Sequence, residues 1–276
     1  MNGVGAELYP LASGSLGNAL LLRTDRACVL VDMGLPQSRL AAGLAAAGAD
    51  PHEVRAILLT HTHRDHFSSA AVGWCVRYGV PVYSARENLE DLVTHLPRAR
   101  RLAREGLLRP IDGEAIAFED ITVESFDVPH DSPGRCTGFR LTLGPARRRR
   151  VATVATDLGH VPPGSIVNFL DSHALVIESN HDPQMLAASG RPRDLIERIA
   201  GPNGHLSNRT SAEAVAEIVG RSRAGRVEHV VLAHLSRDCN TPRLALEAQA
   251  HLARSRAGEV RFAAADQFTP GPRVEL

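Results

Sequence analysis

Lysine is missing from this 276-residue chain: its cationic residues other than histidine are all arginine, 31 of them. That closes chemistry built on an amine nucleophile or a Schiff base. Aromatic residues are scarce, at 4%, and none interleave with a basic stretch, which argues against a platform for stacking the bases of a single strand. Net charge is absent as well, since 31 carboxylates offset the arginines, so no global field speaks for or against a polyanionic partner. No apolar run approaches the length of a membrane span. With 43% hydrophobic residues the chain can still bury a full core, as one or two soluble domains, and one domain over 1–276 is the simplest expectation. Residues 1–7 have no basic segment followed by an apolar one, so no signal peptide is expected and the chain should be cytoplasmic. Cys28, Cys75, Cys136 and Cys239 are scattered and suit reduced core thiols better than a disulfide framework or a Cys-paired zinc site. Cys239 alone stands close to a candidate ligand, His234.

What is present is histidine at high local density. Thr60-His61-Thr62-His63-Arg64-Asp65-His66 follows the apolar stretch Ala56-Ile57-Leu58-Leu59. In an extended segment His61 and His63 point to one side, and Asp65 and His66 come where the chain turns toward the next helix. Four donors then converge from one strand end. A plain turn with Asp65 capping a helix near Phe67 would need one polar side chain and leaves three histidines unexplained. The spacing differs from the helical His-Glu-x-x-His of metalloproteases.

Alternating and apolar segments predict strands at 7–13, 19–23, 28–32, 55–60, 80–83, 121–128, 137–143, 151–156, 174–178, 227–233 and 260–264. Helices are expected at 37–47, 68–78, 193–199, 211–219 and 242–253, with Arg98, Arg100, Arg101 and Arg104 on another. Two β-rich halves, each accompanied by helices, favour sheets packed face to face with helices outside. A two-metal centre needs donors beyond one motif, and His130, Asp157 and His234 each follow an apolar strand.

With these residues the chain resembles the metallo-β-lactamase superfamily, whose His-x-His-x-Asp-His motif is followed by a separated His, Asp and His. The resemblance implies an α+β fold, a four-layer αββα sandwich. It implies one metal held by His61, His63 and His130, a second by Asp65, His66 and His234, and Asp157 bridging. It also implies a bridging hydroxide as nucleophile, oriented by Asp65. Ligation by His and Asp without thiolate suits two divalent ions, zinc, manganese or iron.

Segments 11–18, 201–208 and 234–242 are similar to the YycJ/WalJ-type family, which implies a DNA exonuclease acting from the 5′ end of duplex DNA. Where that family leads one to expect an acidic residue and two asparagines after Leu235-Ser236, the chain has Arg237-Asp238-Cys239-Asn240. Glu178 and His205 sit where the tRNA-processing branch carries a pair that protonates the leaving group, and a histidine kept cationic by a carboxylate suits that task. His160 and His181 are expected at the surface or behind the ligands. For a DNA substrate, phosphate contacts would come from Arg147-Arg148-Arg149-Arg150 and from the arginines at 98–104. Only 76 residues lie between Asp157 and His234, too few for a β-CASP insertion. The competing reading is a small-molecule hydrolase, for a hydroxyacyl thioester or a lactone, using the same ligands and ignoring the arginines.

Overall fold

A computed structural model describes residues 5–256 and 260–276. Part of the segment on which the signal-peptide expectation rests, residues 1–4, lies outside them. The first half contributes strands β1 (Ala6–Ala12), β2 (Ala19–Thr24), β3 (Cys28–Val31), β4 (Val54–Leu58), β5 (Val82–Ser84) and β6 (Leu108–Pro110). Its helices are α1 (Gln37–Ala47), α2 (Ser69–Tyr78), α3 (Arg86–His95) and α4 (Arg100–Arg104). The second half contributes β7 (Ile116–Phe118), β8 (Ile121–Asp127), β9 (Thr137–Leu143), β10 (Arg150–Ala155), β11 (Ala174–Glu178), β12 (His229–Ala233), β13 (Arg261–Ala264) and β14 (Val274–Glu275). Its helices are α5 (Pro183–Ala187), α6 (Arg193–Ala200), α7 (Asn208–Arg221) and α8 (Pro242–Arg256).

The strands form two seven-stranded sheets among the described residues, in the orders β14-β1-β2-β3-β4-β5-β6 and β13-β12-β11-β10-β9-β8-β7. Strand β14 therefore crosses back to close the edge of the first sheet beside β1. Side-chain alternation assigns the faces. Leu20, Leu22, Val29, Val31, Ala56 and Leu58 meet Val123, Phe139, Leu141, Val154, Val176 and Val231 in the core between the sheets. Their neighbours Leu21, Leu30 and Ile57 face the other way, against Leu40 and Leu44 of α1, Val72 and Cys75 of α2 and Leu102 of α4. In the second sheet Leu175, Ile177, Val230 and Leu232 pack outward on Val215 and Ile218 of α7 and Ala245 of α8. Both faces of each sheet are thus covered, so the central strands read as continuous apolar runs. Helices, sheet, sheet and helices give the four-layer αββα order that the sequence predicts.

Strand polarity positions the site. β3 to β6 run parallel, and so do β10 to β13. The carboxyl ends of β3, β4, β8, β10, β11 and β12 lead directly into Asp32, Thr60-His61, His130, Asp157, Glu178-Ser179 and His234. The backbone of Thr137 donates to the Thr60 carbonyl at 3.1 Å, tying the two sheets at this end. The other end is tied by the Thr24 hydroxyl on Asp120 at 2.5 Å.

Candidate metal centre

Three of the strands that lead to the site end in a backbone conformation that side chains other than glycine seldom adopt: φ is 61° at Asp32, 56° at Asp157 and 54° at His234. Each such turn costs energy, and strain of this kind concentrates where a chain must aim a side chain. Here it turns three polar groups inward at the ends of strands that would otherwise carry them past one another. The motif loop itself is stitched down by its backbone, with Asn18 N–H donating to the Asp65 carbonyl at 2.7 Å and Met33 N–H to the His66 carbonyl at 2.8 Å.

The donors gather in overlapping groups whose ligand-type atoms lie within 4.8 Å of one another: His61, His63 and His130; Asp65, His66 and His234; and Asp157 with His61 and His66. Carboxylates and carbonyls fix the imidazole tautomers, because these oxygens only accept. His66 Nδ1 donates to Asp32 Oδ2 at 2.7 Å, His130 Nδ1 to the Gly204 carbonyl at 3.0 Å and His234 Nδ1 to Glu178 Oε1 at 2.8 Å. In each ring the opposite nitrogen, Nε2, is turned toward the cluster, where the neutral imidazole offers its lone pair. His66 Nε2 lies 3.1 Å from Asp157 Oδ2 and His130 Nε2 3.4 Å from His63 Nδ1. His234 Nε2 lies 3.4 Å from Asp65 Oδ2.

Burial and the neighbouring imidazolium of His66 hold His61 well below the usual histidine value, and burial with His130 lowers His63. Burial also opposes a cation at His66 and His234, but the carboxylates outweigh it. Asp157, Asp32 and Asp65 raise His66 well above its ordinary range, and Asp157, Asp65 and Glu178 raise His234 to about 10. Burial would raise the Asp157 carboxyl, yet the charges of His234 and His66 hold it well below the carboxylate range. Without a bound cation, then, the buried carboxylates favour the protonated forms of His66 and His234. One acceptor remains orphaned: His61 Nε2 is buried and has no hydrogen-bond partner, while Asp157 Oδ2 has only His66 Nε2, at 3.1 Å. Buried acceptors without donors are costly and rare. A divalent cation satisfies that nitrogen and takes the place of the proton beside Asp157, and neutral imidazole with carboxylate is the donor set that zinc, manganese or iron accepts.

Glu178 is fully buried and stands at the back of this cluster. Its Oε1 accepts from His205 Nδ1 at 2.9 Å as well as from His234, and its Oε2 from the backbone of Leu158 at 3.1 Å and Leu206 at 3.0 Å. Burial would raise its pKa, but the His205 charge and the bonds to both histidines hold it at about 2. His205 is correspondingly raised: burial disfavours its cation, and Glu178 and Asp157 more than compensate. Its ring lies 5.0 Å from that of His130 and 5.3 Å from that of His234, centroid to centroid, and keeps about a fifth of its side-chain surface exposed.

The structure therefore brings together all seven expected donors and the expected Glu178–His205 pair. Asp65 caps no helix, since α2 begins at Ser69 and is capped by Ser68, whose hydroxyl accepts from the Ala70 N–H. His160 is exposed and holds the Pro202 carbonyl at 2.9 Å. His181 is buried but joins no donor group among the described residues. Cys239 is fully buried and also stands apart. Sequence reasoning missed Asp32, which receives Thr60 N–H at 2.9 Å and orients His66. The signal was available, since Asp32 ends the apolar run Val29-Leu30-Val31 just as Asp157 ends its own.

The arginine clusters lie elsewhere. Arg150 opens β10 and Asp157 follows its far end, seven residues on, a span of roughly 20 Å. Arg98 to Arg104 lead into the start of β6, which runs parallel to β5, so they too lie at the end of the sandwich away from the donors. Within the motif, Arg64 is exposed and makes no ion pair among the described residues.

A family model described as the metallo-beta-lactamase superfamily matches residues 12–151. Exodeoxyribonuclease YycJ of Bacillus anthracis is 32% identical over 245 residues, covering 88% of this chain and 87% of its own. Exodeoxyribonuclease WalJ of Streptococcus pneumoniae is 30% identical over 247 residues, 89% of this chain and 87% of its own. Among solved structures, zinc-bound PqqB from Methylobacterium extorquens superposes with a TM-score of 0.68 at 14% identity, covering 98% of this chain and 100% of the other. The metallo-beta-lactamase fold protein YhfI from Bacillus subtilis gives 0.65 at 15%, over 96% and 98%. At such identities the two superpositions speak to the fold alone.

Proposed function

The chain belongs to the metallo-β-lactamase superfamily, in its YycJ/WalJ-type exonuclease family, and from that premise we propose that this hydrolase cleaves phosphodiester bonds of duplex DNA from the 5′ end. His61, His63 and His130 would hold one divalent ion and Asp65, His66 and His234 a second, with Asp157 between them, zinc or manganese in either place. Such ions supply Lewis acidity, which acidifies water and neutralises charge on a phosphate oxygen.

The chain's own residues do the rest. Asp65, a quarter exposed at the cluster's rim, accepts a hydrogen bond from the attacking water and orients it. His205, held at Nδ1 by Glu178, gives the proton on Nε2 to the departing sugar oxygen and regains one from solvent through its exposed edge. That pair is the observation that carries the reading. An alkoxide is a poor leaving group and needs an acid, whereas a thiolate, with a parent pKa near 8.5, departs without one. A thioester hydrolase would have little use for a buried carboxylate holding a histidine cationic. Arg64, exposed and next to His63 and Asp65 in the chain, would be the cation to meet a substrate phosphate there.

The test is to incubate metal-reconstituted protein with 5′-labelled duplex DNA, the matching single strand and a hydroxyacyl thioester in parallel, wild type against Asp65→Ala. Release of 5′ label from the duplex, abolished in the variant, is the expected result. Cleavage of the thioester with both DNAs intact would replace this reading with the small-molecule one.

A further inference from the structure

At the opposite end of the sandwich a cavity of about 860 Å³ opens between the tip of the β2–β3 hairpin and the β9–β10 connection. Arg26 lines it from the first sheet, and the Arg147–Arg150 run from the second. His173 and Arg226 close it. Asp25 and Asp120 also line it, but Asp120 is engaged by the Thr24 hydroxyl. Arg26 pairs with Glu119 at 3.1 Å and Arg150 with Glu228 at 2.9 Å, while Arg147, Arg148 and Arg149 have no carboxylate partner among the described residues. Cations outnumber anions around the cavity, in a chain whose overall charge is zero.

The decisive feature is His173, only 2% exposed. The Val151 backbone N–H approaches its Nδ1 at 2.9 Å, and Arg226 Nη1 approaches its Nε2 at 3.1 Å. Both approaching groups are donors, and a neutral imidazole has one acceptor nitrogen. Burial and the charges of Arg226 and Arg150 lower its pKa, so protonation does not remove the conflict; a second ring proton would deepen it. With Nδ1 accepting from Val151, the Nε2–H is left facing a guanidinium. Arg226 Nε is buried and has no partner either. A closed pair of unsatisfied donors in a native fold calls for an acceptor.

We propose that this cavity is a second ligand site, separate from the metal centre, that binds the phosphate of a small phosphorylated molecule, a phosphomonoester or polyphosphate such as a nucleotide carries. One phosphate oxygen accepts from His173 Nε2 and Arg226 together, and the unpaired arginines at the rim take the remaining charge, as guanidinium groups do with phosphate. The size matches small-ligand sites. A continuous DNA backbone is the weaker occupant, because His173 and Arg226 Nε are buried, whereas a duplex strand runs over the surface.

The experiment titrates inorganic pyrophosphate and, separately, a 5′-mononucleotide into the metal-loaded protein by calorimetry. It compares wild type with Arg226→Gln, with the exposed-rim variant Arg148→Ala, and with Asp157→Ala, which disables the donor cluster. Affinity at one site should fall about tenfold or more in each arginine variant and persist in Asp157→Ala, while hydrolysis of a small chromogenic phosphodiester is unchanged by the arginine substitutions. Binding that vanishes in Asp157→Ala and is untouched by both arginine changes assigns all phosphate to the metal centre and overturns the proposal. So does absence of binding to wild type.

Discussion

At the level of single residues, Glu178 serves two histidines at once, and the two roles separate by mutation. His205→Ala removes only the proton donor: turnover should fall by about 10² to 10⁴ with metal content unchanged, read by plasma mass spectrometry beside the kinetics. Glu178→Gln also deprives His234 of the acceptor that fixes its tautomer, so it should lower metal affinity by about 10 to 100-fold in addition. Equal metal loss in both variants would remove His205 from the chemistry. The metal-free protein carries a pH signature of the same residues. His234 rises from 6.5 to about 10 on folding, so its contribution to stability is full below pH 6.5 and is lost as pH climbs toward 10. Glu178 drops from 4.5 to about 2, so its contribution is full above pH 4.5 and is lost as pH falls through about 2. Thermal unfolding of chelated protein should therefore show Tm decreasing from pH 6.5 to 10, and metal loading should flatten that slope. A Tm that rises over this window would contradict the proton-for-metal exchange at His66 and His234. The seven donors were legible because each ends an apolar run or crowds one motif. Asp32 carried the same strand-end signal and was passed over, because an aspartate after a strand also reads as a turn until its positive φ and its burial are seen.

Among elements, legibility followed burial. Central strands such as β10 and β11 appear within a residue or so of expectation, since both faces are apolar. The 227–233 expectation shortens to His229–Ala233, and α7 begins at Asn208 rather than 211 because Ser207 caps it. Edge strands β6 and β7, three residues each and largely solvated, leave no alternation long enough to read, and α3 buries only Asn88, Leu89 and Leu92. Close backbone approach was equally invisible. A Cβ on Gly34 would stand 1.7 Å from the Asp65 carbonyl oxygen, so the β3–α1 connection and the motif loop share that space only without a side chain. Gly34→Ala should displace the Asp65-His66 turn and reduce bound metal, while far-UV circular dichroism stays near wild type, since the helices and strands do not depend on that contact. Full metal occupancy in Gly34→Ala would show that the loop tolerates displacement.

For the whole molecule, the αββα order came from two β-rich halves with helices, and the sequence also carried the donors' shared location, because parallel strands deliver their carboxyl ends to one edge. Charge placement did not follow. The arginine runs read alike wherever they fall in the chain, and only strand polarity puts Arg147–Arg150 and Arg98–Arg104 at the end away from the donors. No helix among the described residues is long and apolar enough to cross a membrane. The two ends of the sandwich thus have separate chemistries: imidazole and carboxylate at one, guanidinium at the other. The account rests on the first. Metal quantified per chain after reconstitution with zinc or manganese tests it most directly: about two ions in wild type, with occupancy falling in both Asp157→Ala and His61→Ala, is the predicted result. Fewer than one ion per chain, or an occupancy indifferent to both substitutions, would contradict it.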